Sequence, residues 1–219
     1  MKRRVPIAMM LLSVFFFTIC AEEKPIAKIP PPKGFVDIKE LIPDIVLDIR
    51  YATTNNFVGE VLDGYEAPRA FMLAEAAGAL KHVQASLVKQ GYSLKVFDAY
   101  RPMRAERHML RWAAKNNKKE LLDAGYLPTV NPDKIISHSC GNAIDLTIID
   151  KEGKELDMGT TFDYFGKEAW TMNAKGDILE NRLFLKSEME KEGFRFYKLE
   201  WWHFTYPKTP NKSSDYIIQ

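Results

Sequence analysis

The sequence is poor in cysteine and carries no excess of positive charge beyond its first residues. Cys20 and Cys140 are the only cysteines in 219 residues, too few for a small scaffold held together by disulfides. When residues 1–21 are set aside, 28 Lys and Arg remain against 29 Asp and Glu, a net charge of −1. Because a nucleic-acid partner requires clustered positive charge that neutralises phosphates, this balance argues against one.

Internal repeats, low-complexity tracts and a regular β–α–β alternation are also missing. With 46% apolar and 27% charged residues, the composition is that of an ordinary globular protein. Residues 22–33 are rich in Pro and Lys and predict an extended linker. Residues 34–207 predict one domain, followed by a C-terminal tail over 208–219. Helical and strand patterns are intermixed, which favours an α+β fold with an antiparallel sheet flanked by helices.

The longest apolar run, Val5–Ile19, follows basic residues at positions 2–4. It is shorter than the roughly 20 residues that span a bilayer. Residues 1–21 therefore predict a secretory signal peptide, and the mature protein is expected to be exported, most simply to the periplasm, with no stable membrane span. Anchoring as a lipoprotein through Cys20 is the second interpretation, because the bulky Ile19 stands where a small residue is expected. An uncleaved membrane anchor is the third.

Local patterns predict most of the regular elements of the domain. The predicted helices cover residues 71–90, 103–115 and 181–192, and the predicted strands cover 45–51, 94–100, 143–149 and 194–204. Residues 127–137 contain two prolines and predict a loop.

Two of the four histidines have neighbouring residues in the sequence that suggest a metal site. His138 is predicted on a loop that leads into the strand carrying Asp145, and His203 would complete a set of two imidazoles and one carboxylate. Three protein ligands with a fourth position left for water is the pattern of catalytic zinc, one ion per chain. His-x6-Asp is a loose spacing, so a hydrogen-bonded loop histidine beside an ion-paired aspartate remains an equal alternative. His82 and His108 are predicted on helices and are interpreted as surface residues.

Two further residues suit hydrolysis at such a site. Glu200 lies three residues before His203 and is the natural general base for a water molecule. Arg101 lies at the end of a predicted strand, where its permanent charge could stabilise an oxyanion. The alternative for Arg101 is a surface residue that pairs with Glu106 or Asp98.

Together these motifs resemble the zinc D-alanyl-D-alanine dipeptidases, a branch of the metallopeptidases that also include D,D-carboxypeptidases. The resemblance rests on His138-x6-Asp145, on Glu200-x-x-His203 and on the sequence DAYRP at residues 98–102. Residues 35–39, 48–57 and 157–163 extend it over most of 34–207. It implies the small α+β fold shared with Hedgehog signalling domains.

The resemblance also implies an activity and a set of site residues. The activity is hydrolysis of the dipeptide D-alanyl-D-alanine to two D-alanines, within peptidoglycan metabolism. The implied site comprises the zinc ligands His138, Asp145 and His203, the general base Glu200, the oxyanion-stabilising Arg101, and the substrate-binding residues Asp163 and Ser137.

Three other functions stay open on the sequence. A peptidoglycan D,D- or L,D-carboxypeptidase would use the same metal in an open groove. A zinc-holding binding module without turnover would have no use for Glu200. A thiol enzyme would pair Cys140 with His138, although the two are only two residues apart. The sequence predicts no oligomeric state.

Overall fold

A central sheet of five strands organises the computed structural model, which describes residues 30–127, 138–209 and 212–219. The predicted signal peptide, and the part of the predicted 127–137 loop from residue 128 onward, lie outside those residues. The strands are β1 (Phe35–Asp37), β2 (Val46–Leu47), β3 (Phe71–Leu73), β4 (Tyr92–Asp98), β5 (Ala143–Asp150), β6 (Arg195–Tyr197) and β7 (Glu200–Thr205). The helices are α1 (Ile38–Leu41), α2 (Ala74–Lys89), α3 (Met103–Lys115), α4 (Lys119–Asp123) and α5 (Gly176–Lys191).

The central sheet has the strand order β2-β4-β5-β7-β6, and β1 pairs with β3 separately. Neighbouring strands of the central sheet run antiparallel, except for β2 and β4, which run parallel. Parallel strands need a long crossover connection, and the chain between β2 and β4 supplies one that contains α2. Helix α2 packs against β4 and α5, and α5 also packs against β6. The predicted α+β class, with an antiparallel sheet flanked by helices, is confirmed.

Helix α2 shows why the long elements were predictable. Ala76, Leu80, Val83 and Leu87 follow helical spacing and are fully buried, so one apolar face covers the sheet. The helix stops just before Gly91, whose φ of +83° suits the position after a helix end. Helix α3 begins and ends at the predicted residues, and β4 and β5 lie within two residues of prediction.

Two predicted strands were wrong in part. Of residues 45–51, only Val46–Leu47 forms a strand, because the carbonyl of Arg50 accepts a hydrogen bond from the Thr53 amide and closes a 3₁₀ turn. Residues 194–204 form a hairpin rather than one strand. Tyr197 pairs with Glu200 across a two-residue connection, which separates β6 from β7.

The described residues that follow position 211 pack onto the domain. Ile218 is fully buried, and its amide donates to the Gly64 carbonyl at 2.8 Å. The Asp215 carboxylate accepts hydrogen bonds from the Arg104 amide at 2.7 Å and from the Arg107 guanidinium at 2.9 Å. The packed domain therefore extends past the predicted boundary at residue 207. Among the described residues, none of the helices is both long and apolar enough to cross a lipid bilayer.

The turn before β5 depends on Gly141. Its φ is +73°, and a Cβ added there would lie 2.2 Å from Cε1 of Phe35. Gly141→Ala is expected to lower the free energy of unfolding by about 2–4 kcal/mol, because left-handed strain and overpacking add together. Urea unfolding measures this.

Gly153→Ala is the matched control for that substitution. Gly153 has a similar φ of +80°, but no atom lies within 4 Å of an added Cβ. It should lose only about 1–2 kcal/mol, the cost of the left-handed conformation. An equal loss of unfolding free energy in the two variants would show that the contact with Phe35 does not contribute to the destabilisation.

Candidate metal and active site

A row of polar residues crosses three neighbouring strands of the central sheet. Asp98 on β4 lies opposite Asp145 on β5, and Asp145 lies opposite His203 on β7. Residues directly opposite each other in antiparallel strands point to the same face. Strand register therefore brings together Asp145 and His203, which are 58 residues apart in the sequence.

His138 reaches the same place from the 3₁₀ turn that precedes β5. Its Nδ1 lies 2.7 Å from the Ala99 carbonyl oxygen, which is an acceptor only, so Nδ1 carries the proton. That hydrogen bond fixes the tautomer and leaves Nε2 with a free lone pair. Nε2 lies 3.1 Å from Nδ1 of His203 and 3.4 Å from Oδ2 of Asp145.

His138, Asp145 and His203 form a cluster that could hold a metal ion. Their ligand atoms all lie within 4.8 Å of one another. Oδ1 of Asp145 is 3.0 Å from Nδ1 of His203, whose other ring nitrogen lies 3.2 Å from Oγ1 of Thr205. Burial alone would raise the pKa of Asp145, but His138 and His203 outweigh it and hold that pKa below its usual range. The three predicted ligands thus converge in the structure.

Glu200 begins β7 and lies beside this cluster. Its Oε2 is 3.9 Å from Nδ1 of His203. Burial raises the pKa of Glu200 well above its ordinary value, and the charges of Asp145 and Asp163 raise it further, against the opposing effect of Arg101. A carboxyl group with a raised pKa can take up a proton and return it near neutral pH.

The Arg101 guanidinium makes the ion pairs of the alternative interpretation, although the residue is buried rather than at the surface. It pairs with Asp98 at 2.8 Å and with Glu106 at 3.3 Å, as the alternative interpretation expected. It is also 3.4 Å from Oδ2 of Asp145 and lies over the ring of Tyr51, with its carbon 4.8 Å from the ring centroid. The residue is buried and lines the same cavity as the ligand cluster.

Asp163 lies in the same cavity in an unusual conformation. Its φ is +59°, which few non-glycine residues adopt. The Tyr51 hydroxyl donates to the carboxylate, at 3.0 Å from Oδ1 and 3.1 Å from Oδ2. Burial, together with the charge of Asp145, raises the pKa of Asp163 to about 8.

Tyr51 was not predicted as a site residue and was assigned to a strand. Its place in the 48–57 segment, one of those that carry the resemblance to the dipeptidases, was the available signal. Ser137 lies outside the described residues.

The cavity that contains these groups has a volume of about 330 Å³. Aromatic side chains form much of its wall, namely those of Phe57, Tyr126, Phe165, Tyr197 and Trp202. Trp201 instead donates from its indole nitrogen to Oγ1 of Thr160 at 2.8 Å. The wall shields the charged groups from water, which strengthens their interactions.

The remaining histidines and the cysteine lie away from the cluster. His82 is exposed on α2, whereas His108 is mostly buried and its Nδ1 accepts a hydrogen bond from the Asp63 amide at 3.2 Å. The surface interpretation therefore fits His82 and was wrong for His108. Cys140 lines a different groove, beside Ser213, and burial raises the pKa of its thiol. The geometry contradicts a thiol enzyme that uses Cys140 with His138.

Comparison with known proteins shows the family of the chain. A family profile of the M15 peptidases, described as D-Ala-D-Ala dipeptidase, matches residues 32–218. The chain belongs to the D-Ala-D-Ala dipeptidase family. The family predicted from the motifs is confirmed. As a member of that family, the chain is a metallopeptidase.

Several D-alanyl-D-alanine dipeptidases are similar to this chain over most of its length. A D-alanyl-D-alanine dipeptidase of Enterococcus faecium is 35% identical over 195 residues, which cover 83% of this chain and 95% of that protein. One from Enterococcus faecalis is 35% identical over 183 residues, 78% of this chain and 90% of that protein. One from Escherichia coli is 32% identical over 175 residues, 79% of this chain and 84% of that protein.

Proposed function

We propose that the chain hydrolyses D-alanyl-D-alanine to two D-alanines, using one Zn²⁺ ion held by His138, Asp145 and His203. The observation that carries this proposal is the convergence of two imidazole nitrogens and a carboxylate beside the mostly buried carboxyl group of Glu200. Family membership supplies the substrate class. The described residues offer three ligands and leave a fourth position open, as catalytic zinc requires.

The spacing of the ligand atoms fits zinc. Separations of 3.0, 3.1 and 3.4 Å join the imidazole nitrogens and carboxylate oxygens pairwise. A tetrahedral ion with bonds of about 2.0–2.1 Å sets its ligand atoms about 3.3 Å apart. Zn²⁺ bound there would polarise the substrate carbonyl and lower the pKa of a water molecule.

The chain's own residues supply the proton transfers and the charge stabilisation. Glu200 takes a proton from the attacking water as the new C–O bond forms. It then gives that proton to the nitrogen of the leaving D-alanine as the C–N bond breaks. Arg101 stabilises the negative charge that develops on the carbonyl oxygen. Asp98 and Glu106 hold its guanidinium in place through the ion pairs described above.

Asp163 accounts for selection of a dipeptide. We assign its carboxylate to the free ammonium group of the substrate, with the Tyr51 hydroxyl holding it in position. A longer peptide has an amide at that nitrogen and brings no positive charge to Asp163. Such a substrate offers no cation to the Asp163 carboxylate and is therefore disfavoured.

The purified zinc protein, assayed against three substrates, tests the function. D-Ala-D-Ala, L-Ala-L-Ala and a muropeptide are incubated with it, and free alanine is measured. We expect alanine from the D,D-dipeptide alone. Cleavage of the muropeptide stem with the dipeptide left intact would instead select the carboxypeptidase alternative.

The N-terminal sequence supports a location as well. Its basic, apolar and small-residue order suits export to the periplasm, where the enzyme would meet dipeptide released during wall turnover. Mass spectrometry of the mature protein tests this. A chain that begins at Glu22 supports export, and a lipid-modified Cys20 supports the lipoprotein alternative.

A further inference from the structure

A zwitterionic dipeptide brings a carboxylate as well as an ammonium group into the cavity. The cavity wall already contains four carboxyl groups, those of Glu106, Asp145, Asp163 and Glu200. Another anion beside them is unfavourable unless a cation pairs with it. Zn²⁺ and Arg101 are assigned to the scissile bond, so a further positive group at the C-terminal end of the substrate would offset this cost.

Arg101 is poorly placed to be that group, because acidic side chains already engage its guanidinium. Its Nε and one terminal nitrogen bond to Asp98, at 2.9 and 2.8 Å. The other terminal nitrogen is 3.3 Å from Glu106. The face of the guanidinium is covered by the ring of Tyr51. The guanidinium of Arg101 lies next to Asp145, a proposed zinc ligand, which suits its assigned role at the carbonyl oxygen of the scissile bond.

Arg195 is the other basic residue among the described residues of the cavity wall, which include no lysine. It is an exposed residue at the start of β6, so its guanidinium keeps access to solvent and to an entering ligand. Within the described part of the chain, no acidic side chain forms a salt bridge with it. Unlike Arg101, it has a charge available for a ligand.

Strand pairing places Arg195 on the metal-binding face of the sheet. It lies directly opposite Thr205 in the β6–β7 pair. Thr205 follows His203 by two residues on β7, and the two side chains touch, with Oγ1 3.2 Å from Nε2. Arg195 is therefore one strand over from His203 and about 7 Å along the strand direction. The two Cα atoms of a dipeptide are about 3.8 Å apart, so a long side chain at that position can reach the C-terminal end of a substrate whose scissile carbonyl lies at the metal site.

We propose that Arg195 binds the C-terminal carboxylate of the substrate and so makes the enzyme prefer dipeptides with a free acid terminus. The inference rests on the proposed dipeptide hydrolysis and deepens it. A guanidinium can hold a carboxylate through two parallel hydrogen bonds, which fixes the orientation of the substrate as well as adding affinity. The enzyme then recognises the dipeptide by both of its charged ends.

The test compares D-Ala-D-Ala with D-alanyl-D-alaninamide, which lacks the terminal charge. In the Arg195→Ala variant, KM for the acid is expected to rise about 10–100-fold, the usual loss for a hydrogen bond to a charged group. Its kcat should stay within about threefold, because the contact is made equally in the ground state and the transition state. KM for the amide should change less than about twofold, and Arg195→Lys should restore part of the affinity for the acid.

Lys198→Ala is the matched control, since it removes the same charge from the same hairpin at a residue that does not line the cavity. It should leave both substrates unaffected. An unchanged KM for the acid in Arg195→Ala, or an equal rise for acid and amide, would overturn the assignment and leave the proposed function standing. Wild-type protein that hydrolyses neither substrate would overturn both. Equal thermal unfolding temperatures of wild type, Arg195→Ala and Lys198→Ala are expected because both residues are exposed, and a large drop in Arg195→Ala alone would also count against the assignment.

Discussion

Replacing Glu200 with glutamine is expected to lower kcat for D-Ala-D-Ala by about 10²–10⁴-fold, the usual contribution of a positioned general base. Glutamine keeps the shape of the side chain but cannot accept the proton of the attacking water. Because Glu200 is not among the three proposed ligands, the variant should still bind one zinc ion per chain. Steady-state kinetics and elemental analysis of the same preparation measure the two properties together.

Glu60→Gln is the control for that substitution, because Glu60 is exposed and lies outside the cavity wall. It should match wild type in activity and zinc content. Activity within threefold of wild type in Glu200→Gln would refute the role of general base. Loss of zinc from that variant would mean that Glu200 supports the metal instead.

Replacing His203 with alanine is expected to abolish both zinc binding and turnover. The remaining two groups, His138 and Asp145, cannot complete a three-ligand site. Because metal binds the folded chain, zinc should also stabilise wild type against unfolding, by about 4 kcal/mol at a free concentration a thousand times Kd. For a domain of this size, each kcal/mol raises Tm by about 2–4 °C. Thermal unfolding with and without added zinc measures the effect.

His82→Ala is the matched control, since His82 is exposed on α2 and far from the cluster in the fold. It should keep the zinc content, the activity and the zinc-dependent rise in Tm. If His203→Ala retained one zinc per chain and the full rise in Tm, the proposed ligand set would be refuted.

The sequence predicted those parts of the fold that are long enough to show a period. The apolar face of α2 and the strand patterns of β4 and β5 each extend over seven or more residues, and the structure has these elements within three residues of the predicted bounds. Strands of two or three residues, such as β2 and β6, carry too little pattern to be separated from their neighbours. Their pairing is decided by contacts with residues far away in the chain.

The same limit applies to the site. The three candidate ligands and Glu200 could be named because their motifs, loose by themselves, occur together with several longer segments that resemble one family. Arg195 could not be named, because its place in the cavity depends on a hairpin that local sequence does not reveal. Tyr51 lies in a segment of the family resemblance, but the turn that places it in the cavity was predicted as a strand. The pairing of Arg101 with Asp98 and Glu106 was predicted as an alternative to a catalytic role, and the structure has these ion pairs on a residue that also lines the cavity.

The pairing of Asp145 with His203 across β5 and β7 makes the chemistry of this enzyme sensitive to how its strands align. Side chains alternate between the two faces of a sheet, so a slip of one residue would turn His203 away from Asp145. A misaligned chain would present at most two of the three groups and hold metal weakly. Zinc would therefore stabilise only the chain in which β5 and β7 pair in this register.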